Sequence, residues 1–362
     1  MNNRKPTRRQ FLKAATAGSL ALGWNGLVTG EARRSRGQPM ASFFVAGDTH
    51  FLADKTAPEN MDARSAEICG RLVDTLNRLP GSLIPEALGG GVVSAPAALI
   101  HTGDIIDTGD KTGAVQETMQ KTEWNAFVAE YGLNGQDGRL KYPVFEVFGN
   151  HDAPHGTGHA LEQMKLRNQK RPMVKALSAN GLHYSWDIGD AHFINLGIVV
   201  GHEKSVNRKR RYAALDSYDF LVSDLKDNVG TSGRPVVVTH HVDVSRYSTG
   251  CDPAAPADSK EWDPCDVRAY FDALKEYRIA AIFYGHTHVR NVFQWDYVSK
   301  NATTGYNVFN SDNSSHFSGD AQAFFCVELF EDEITVREYA TKDGWKTGEF
   351  SPQVWNRPHV TM

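Results

Sequence analysis

The chain has 362 residues, of which 41% are hydrophobic and 10% aromatic, and its formal net charge is −4. This length and apolar content suffice for a full hydrophobic core in one large domain or two modest ones. The small negative charge gives no global cationic field, so neither tight electrostatic binding to DNA nor a specific nucleic-acid partner is expected from charge alone. The basic run at residues 208–211 is interpreted as a solvated loop.

The amino terminus has the pattern of an export signal. Arg8 and Arg9 precede Phe11-Leu12-Lys13, and a mildly apolar stretch follows over residues 14–28. This pattern is typical of a bacterial twin-arginine (Tat) signal peptide, so we expect signal and linker over residues 1–38, the Tat translocase as a partner, and a periplasmic or secreted protein. No later stretch reaches about 18 unbroken apolar residues, so no stable membrane span is expected.

An oxidising compartment would permit disulfides between the four cysteines. Cys251 and Cys265 bracket a Pro- and Asp-rich loop and are the predicted pair, whereas Cys326 lies in an apolar strand-like stretch and should be buried. The chain contains no Cys-x-x-Cys motif, so neither a zinc ribbon nor a thioredoxin-like site is indicated.

Five short apolar runs have the composition of buried strands, and each is followed by polar residues. Helix-like stretches lie between them, and this alternation predicts an α/β fold with a largely parallel central sheet. The predicted strands are residues 43–46, 97–100, 144–148, 236–238 and 280–284, and the predicted helices are residues 65–79, 118–131, 160–168, 218–226 and 267–277.

Two further segments predict a second sheet packed on the first. Residues 184–197 have the pattern of two strands around a turn, and residues 323–329 and 334–339 have that of a hairpin. We find no internal repeat and no second domain of independent size. One domain is therefore expected over residues 39–345, followed by a C-terminal tail at residues 346–362.

Polar motifs follow all five strands of the predicted central sheet. Because ligands gather where the strands of such sheets end, these residues should converge on one site. Residues i and i+2 point the same way, so Asp48 can face one cavity with His50, and His286 with His288. The motifs are Asp48-Thr49-His50, Gly103-Asp104-Ile105-Ile106-Asp107, Gly149-Asn150-His151-Asp152, Thr239-His240-His241 and Gly285-His286-Thr287-His288.

The chemistry of these side chains indicates a metal centre. Carboxylate, imidazole and amide ligands without thiolate suit Mn, Fe or Zn rather than an iron–sulfur cluster. The ligands are too many for one ion, and Asp104 is placed to bridge two. Two-metal sites hold their ions about 3.5–4 Å apart and stabilise the attacking and leaving oxygens of an in-line displacement. The sequence therefore predicts two divalent or Fe-type metal ions.

Together the five motifs resemble the signature of the calcineurin-like metallophosphoesterase superfamily: D-x-H, G-D-x-x-D, G-N-H-D/E, a strand-end His and G-H-x-H. The resemblance runs from about Ser42 to Tyr339. It implies a β-sandwich of two mixed sheets flanked by helices (αββα). It also implies a hydrolase that cleaves phosphate mono- or diesters by attack of metal-bound hydroxide, with a small or envelope-derived phosphate ester as substrate.

The resemblance further implies a ligand set. One metal would bind Asp48, His50, Asp104 and His288, and the other would bind Asp104, Asn150, His240 and His286. In the family pattern the first histidine of a His-His pair is usually the ligand, so His240 is chosen and His241 is assigned to the surroundings of the metal or to the substrate. Two ions, two carboxylates and a hydroxide leave about +1 for an anionic phosphate, because Asn150 is neutral.

The remaining motif residues receive roles by the same resemblance. His151 would bind phosphate, together with Asn150, or protonate the leaving group, and Asp152 would orient His151 and raise its basicity. Asp107 would either hold a histidine or cap the following turn. A Ser/Asn-rich loop that could reach the site contains Asn310, Asp312 and His316.

Departures from subfamily patterns narrow the function. Protein Ser/Thr phosphatases carry an arginine soon after G-D-x-x-D, where this chain has Thr108-Gly109-Asp110, and purple acid phosphatases carry a tyrosine where it has Asp107. The chain has no room for the large C-terminal domain of exported 5′-nucleotidases. Phosphomonoesterases and phosphodiesterases remain, including cyclic-nucleotide and phospholipid-type enzymes. The rival interpretations are a nuclease and a non-catalytic metal-binding scaffold.

The loop at residues 245–266 begins shortly after His240 and contains Tyr247 and Trp262. A loop that directly follows a metal ligand and covers a phosphate site can contact the organic part of the ester. Such a loop would select substrates. The alternative is an inert surface insertion.

Overall fold

Two mixed β-sheets pack face to face and helices flank them, which confirms the αββα class. A computed structural model describes residues 37–202, 212–244, 261–298 and 303–362. The predicted Tat segment, apart from its last two residues, and the basic run at residues 208–211 lie outside the described residues.

The first sheet has six strands and combines a parallel with an antiparallel part. In spatial order they are β15 (Glu349–Pro358), β14 (Glu333–Thr341), β13 (Gln322–Leu329), β1 (Ala41–Ala46), β4 (Ala98–His101) and β5 (Val144–Glu146). Strands β1, β4 and β5 run parallel, whereas β13, β14 and β15 pair antiparallel.

The second sheet has seven strands. In spatial order they are β11 (Asn291–Trp295), β12 (Tyr306–Asn310), β10 (Ile279–Tyr284), β9 (Val236–Thr239), β8 (Ala191–Asn195), β7 (Tyr184–Ile188) and β6 (Val174–Leu177). The four strands from β12 to β8 are parallel, and the strands at both edges are antiparallel. A separate two-stranded ribbon pairs β2 (Ala53–Asp54) with β3 (Ala57–Met61).

Two expectations about the sheets are corrected. The five predicted strands do not form one central sheet, because three lie in the first sheet and two in the second. The predicted hairpin at residues 323–339 belongs to the first sheet, where it continues that sheet beyond β1.

The expected C-terminal tail at residues 346–362 is also corrected. It is not a free tail, since β15 pairs antiparallel with β14 and Val360 bridges to Ile279.

The five predicted helices are present with shifted ends. They are α1 (Ala63–Arg78), α2 (Ala114–Tyr131), α3 (His159–Asn168), α4 (Ser217–Asp224) and α5 (Pro264–Leu274). Asp62 caps α1 by accepting from the Ser65 amide, and Asp263 caps α5 in the same way through Cys265. Among the described residues, no helix has the length and apolar character needed to cross a membrane.

The alternation of side chains along β1 shows how the core is divided. Phe43 and Val45 face the core between the sheets, and the Phe43 ring meets those of Phe193 and Phe283 edge-on at 5.3 and 6.0 Å. Phe44 and Ala46 face the opposite way, into the core that includes residues of α1 and α2. The period of two in a strand therefore builds both layers of the core from one apolar run.

The structure describes three of the four cysteines, and it agrees with the predictions made for Cys265 and Cys326. Cys265 is disulfide-bonded, whereas Cys69 and Cys326 are free and buried. Cys251, the predicted partner of Cys265, lies outside the described residues.

Candidate metal centre

The carboxyl ends of β1, β4, β5, β9 and β10 bring the predicted motif residues together. Backbone hydrogen bonds join the motif loops, because Asp48 N donates to Gly103 O at 2.9 Å and His50 N donates to Asp104 O at 3.1 Å. The second sheet is tied to the first at the same point, since His286 N donates to Asp48 Oδ1 at 2.8 Å. Residues from both sheets thus share one site, although the sequence pattern predicts a single sheet for their strands.

Four of these side chains form a first cluster, and their possible ligand atoms lie within 4.8 Å of one another. They are Asp48, His50, Asp104 and His288. His50 Nε2 lies 3.1 Å from His288 Nε2 and 3.6 Å from Asp104 Oδ2, and His288 Nε2 lies 3.5 Å from Asp48 Oδ1. The geometry brings together the four residues assigned to one metal.

A second cluster contains Asp104, His241 and His286 within the same limit. Asp104 Oδ2 lies 3.2 Å from His241 Nε2, and Asn150 Oδ1 lies 3.1 Å from His241 Nε2 and 2.6 Å from His286 Nδ1. Asp104 therefore belongs to both clusters, and its Oδ2 atom faces a histidine of each.

The hydrogen bonds around the clusters indicate that a cation fits between these atoms. His50 Nδ1 is bonded to the Asp107 carboxylate at 3.2 Å, and His241 Nδ1 donates to the Thr102 carbonyl at 2.8 Å. In the neutral rings Nε2 therefore carries a lone pair, and at His241 that lone pair faces a carboxylate oxygen. Acceptor atoms this close repel one another unless a proton or a metal ion lies between them.

The close contact between carboxylates and histidines also shifts the pKa values of His241 and Asp104. Burial lowers the pKa of His241, but the charges of Asp104 and Asp48 outweigh it and raise that pKa to about 9. Burial would also raise the pKa of Asp104, yet His241 and His50 lower it well below its ordinary value. A negative field that favours a proton on His241 equally favours a metal cation.

Five of the clustered residues have left-handed backbone. The φ angles are 50° at Asp48, 45° at His50, 51° at Asp104, 75° at His286 and 51° at His288. Non-glycine residues seldom adopt this conformation, although Asp and His do so more often than most. Such outliers cluster at functional sites, because the surrounding structure holds them in place.

The glycines of two motifs are required by close approach to the carboxylates. A Cβ atom on Gly149 would lie 2.2 Å from Asp104 Oδ1, and one on Gly285 would lie 2.4 Å from Asp48 Oδ2. Any larger residue at either position would displace a carboxylate of the site.

His240, predicted as the metal ligand of the His-His pair, is corrected by the geometry. Its side chain is fully buried away from the clusters, where it packs edge-on against Trp262 and Tyr270 at 5.3 and 5.6 Å. Neither ring nitrogen has a hydrogen-bond partner among the described residues, and burial lowers its pKa to about 3. His241, the second histidine of the pair, is the one that lies in the cluster with Asp104 and His286.

Asp152 is also corrected, because its carboxylate does not orient His151. It accepts hydrogen bonds from the backbone amides of Ile105, Ile106 and Gly149 at 3.0, 3.0 and 2.7 Å. Burial, aided by the charge of Asp104, raises its pKa to about 7. Asp152 therefore fixes the loop that carries Asp104.

His151 is held by the G-D-x-x-D loop. Its Nδ1 donates to the Asp107 carbonyl at 3.2 Å and lies 3.9 Å from an Asp110 carboxylate oxygen, while its backbone amide donates to Asp104 Oδ1 at 2.8 Å. Burial opposes protonation, but Asp104 and these contacts raise its pKa. The Asp107 side chain bonds His50, which decides between the two roles left open for it.

The Ser/Asn-rich loop after β12 does reach the site. Asn310 Nδ2 donates to the Gly285 carbonyl at 3.1 Å and so shapes the G-H-x-H loop. Asp312 accepts from the Asn313 amide instead. One ring nitrogen of His316 lies within 4.8 Å of ligand atoms of His50 and His288.

Glu261 is a site residue that the sequence analysis missed. Its buried carboxylate lies 3.1 Å from His286 Nε2, which leaves His286 Nδ1 to face Asn150. Carboxylate partners of this kind fix the ring orientation of metal-binding histidines. Glu261 directly follows residues 245–260, which lie outside the described residues, and no motif surrounds it that could have identified it.

An αββα sandwich with two such clusters at its strand ends defines a metal-dependent phosphoric ester hydrolase. The model of the calcineurin-like phosphoesterase family matches residues 41–290. The chain therefore belongs to the calcineurin-like phosphoesterase family, and the clusters fit the divalent metal ions that this class uses.

One solved structure shows the same fold at low sequence identity. A dimetal phosphatase from Danio rerio is 12% identical with a TM-score of 0.53, and the match covers 89% of this chain and all of that one. PhoD is 11% identical over 86% of this chain and 71% of its own, but its TM-score of 0.47 is too low to support a conclusion. A comparison with curated protein sequences gave no significant match.

Proposed function

We propose that the chain is an exported phosphoesterase that hydrolyses phosphate mono- or diesters with two divalent or Fe-type metal ions. The observation that carries this proposal is the position of Asp104, whose Oδ2 atom lies 3.6 Å from His50 Nε2 and 3.2 Å from His241 Nε2. One carboxylate between two histidine groups is the arrangement expected of a bridging ligand.

The residues that would hold each ion follow from the clusters. Asp48, His50, Asp104 and His288 would hold one ion, and Asp104, Asn150, His241 and His286 would hold the other. When bound, the two ions would lower the pKa of water towards about 7 and neutralise charge on the transferring phosphoryl group. Asp107, Thr102 and Glu261 keep the opposite nitrogens of His50, His241 and His286 occupied, so each ring presents one fixed nitrogen.

In this proposal His151 donates a proton to the leaving oxygen. Its Nδ1 is engaged by the Asp107 carbonyl, so Nε2 is the nitrogen that remains for the substrate. The raised pKa favours the protonated ring, and a general acid of this kind contributes typically about 10²–10⁴-fold to the rate.

Metal dependence provides the first test. Protein stripped with a chelator should lose hydrolysis of both p-nitrophenyl phosphate and bis-p-nitrophenyl phosphate, and Mn, Fe or Zn should restore cleavage of at least one. The comparison of the two esters decides between a monoesterase and a diesterase. If the reloaded protein cleaves neither ester, the proposed function is wrong.

Metal content and plasmid nicking of the purified protein separate the proposed enzyme from a non-catalytic scaffold and from a nuclease. A non-catalytic scaffold should retain little metal after purification, whereas the proposed enzyme should retain close to two ions per chain. A nuclease should nick supercoiled plasmid in the metal that supports ester hydrolysis, and no nicking is expected here because the chain carries a net charge of −4.

Export is proposed from the amino terminus alone, and it would place the substrate, a small or envelope phosphate ester, in the periplasm or outside the cell. Replacing Arg8 and Arg9 with lysine should leave the full-length protein in the cytoplasmic fraction, because the Tat translocase reads the arginine pair. Arg4→Lys makes the same change outside the pair, so it provides the matched control and should not alter export. Unchanged export of the Arg8→Lys, Arg9→Lys double variant would contradict the Tat assignment.

A further inference from the structure

His316 is a third histidine at the His50–His288 cluster, contributed by the loop after β12. Its ring centroid lies 4.5 Å from that of His50 and 4.8 Å from that of His288. His316 is half-buried. The ligand set proposed above does not use it.

The loop that carries His316 is firmly attached to the D-x-H loop. Gly47 N donates to Ser314 Oγ at 3.1 Å, Ser314 N donates back to Gly47 O at 2.9 Å, and Ser315 Oγ donates to Thr49 O at 3.3 Å. On the other side, Arg64 Nε donates to the Phe317 carbonyl at 2.6 Å. His316 is therefore fixed relative to Asp48 and His50.

The hydrogen bonds of His316 determine which nitrogen carries its proton. Nδ1 accepts from the Ser318 backbone amide at 3.1 Å and lies 2.7 Å from the Ser318 hydroxyl. Since a backbone amide can only donate, Nδ1 is unprotonated and the neutral ring carries its hydrogen on Nε2. An Nε2–H group has no lone pair for a metal, but it can donate to an anionic oxygen.

We infer that His316 is a substrate-binding residue that donates Nε2–H to a non-bridging phosphoryl oxygen beside the His50–His288 metal position. The inference rests on the proposed function and adds a phosphate contact to it. His316 would then make a phosphate contact in a chain that lacks the arginine found after G-D-x-x-D in protein phosphatases.

The test measures binding of inorganic phosphate to the metal-loaded full chain, together with its metal content. His316→Ala should raise the phosphate Kd about 10- to 100-fold, the usual effect of losing a hydrogen bond to a charged group, while the metal content stays at the wild-type value. His316→Gln keeps an N–H donor and should recover part of the affinity. Ser318→Ala keeps the backbone amide that fixes the tautomer and should bind phosphate as the wild type does.

Two outcomes would overturn the inference. An unchanged phosphate Kd in His316→Ala would show that the residue does not contact the anion, and the loss of one ion per chain would make it a metal ligand. Phosphate binding needs no turnover. If the wild type binds phosphate but cleaves no ester, the proposed function is wrong, while the phosphate Kd of His316→Ala still confirms or refutes the contact.

Discussion

Asp104→Ala should remove at least one metal ion per chain and lower kcat/KM by about 10³-fold or more. The carboxylate belongs to both clusters, so its loss removes a ligand from each proposed ion and with it several kcal/mol of transition-state stabilisation. Metal content by elemental analysis and initial rates on p-nitrophenyl phosphate provide the measurement.

A surface carboxylate provides the control for charge alone. Asp74 pairs with Arg139 and its side chain is 58% exposed, so Asp74→Ala removes the same charge without touching the site. We expect it to keep both ions and wild-type rates. An Asp104→Ala protein with two ions per chain and ordinary activity would show that this residue is not the bridge.

The His-His pair allows a second test with a built-in comparison. His241→Ala should lose one of the two ions and at least about 10²-fold in kcat/KM, because His241 Nε2 faces both Asp104 and Asn150. His240→Leu should keep both ions and most of the activity. Its ring packs in an apolar environment without a hydrogen-bond partner among the described residues, so a similar apolar group should cost little stability.

Metal content and thermal midpoint of the two variants separate the roles. The His241→Ala protein should bind less metal and gain less stability from added metal than the wild type. The reverse result, with metal lost only in His240→Leu, would restore the ligand choice that the family pattern suggests.

The wrong choice between these histidines has a simple geometric origin. In β9, Val236 and Val238 face the helix-side core, whereas Val237 faces the core between the sheets. By the strand period of two, His240 continues the side of Val236 and Val238, towards Trp262. The alternation puts His240 and His241 on opposite sides, but the side that borders the site follows from the packing of the two sheets, which the sequence does not show.

Other features could not be read from local pattern. The motifs and their order predict which residues meet, since strand ends converge whichever sheet holds them. The division of the strands between two sheets depends on tertiary pairing, as does the place of β15. Asp152 follows His151 in sequence, yet its carboxylate accepts hydrogen bonds from the backbone amides of Ile105 and Ile106, which lie 47 and 46 residues earlier. Sequence spacing does not reveal such a contact.

The left-handed backbone of the site sets the stability of the protein against its function. Left-handed conformation costs a non-glycine residue about 1–2 kcal/mol, and this cost recurs at five residues of the two clusters. Glycine at any of them would relax the chain and delete a ligand in the same step. Selecting variants for thermal stability alone would therefore favour glycine substitutions that stabilise the fold and abolish activity.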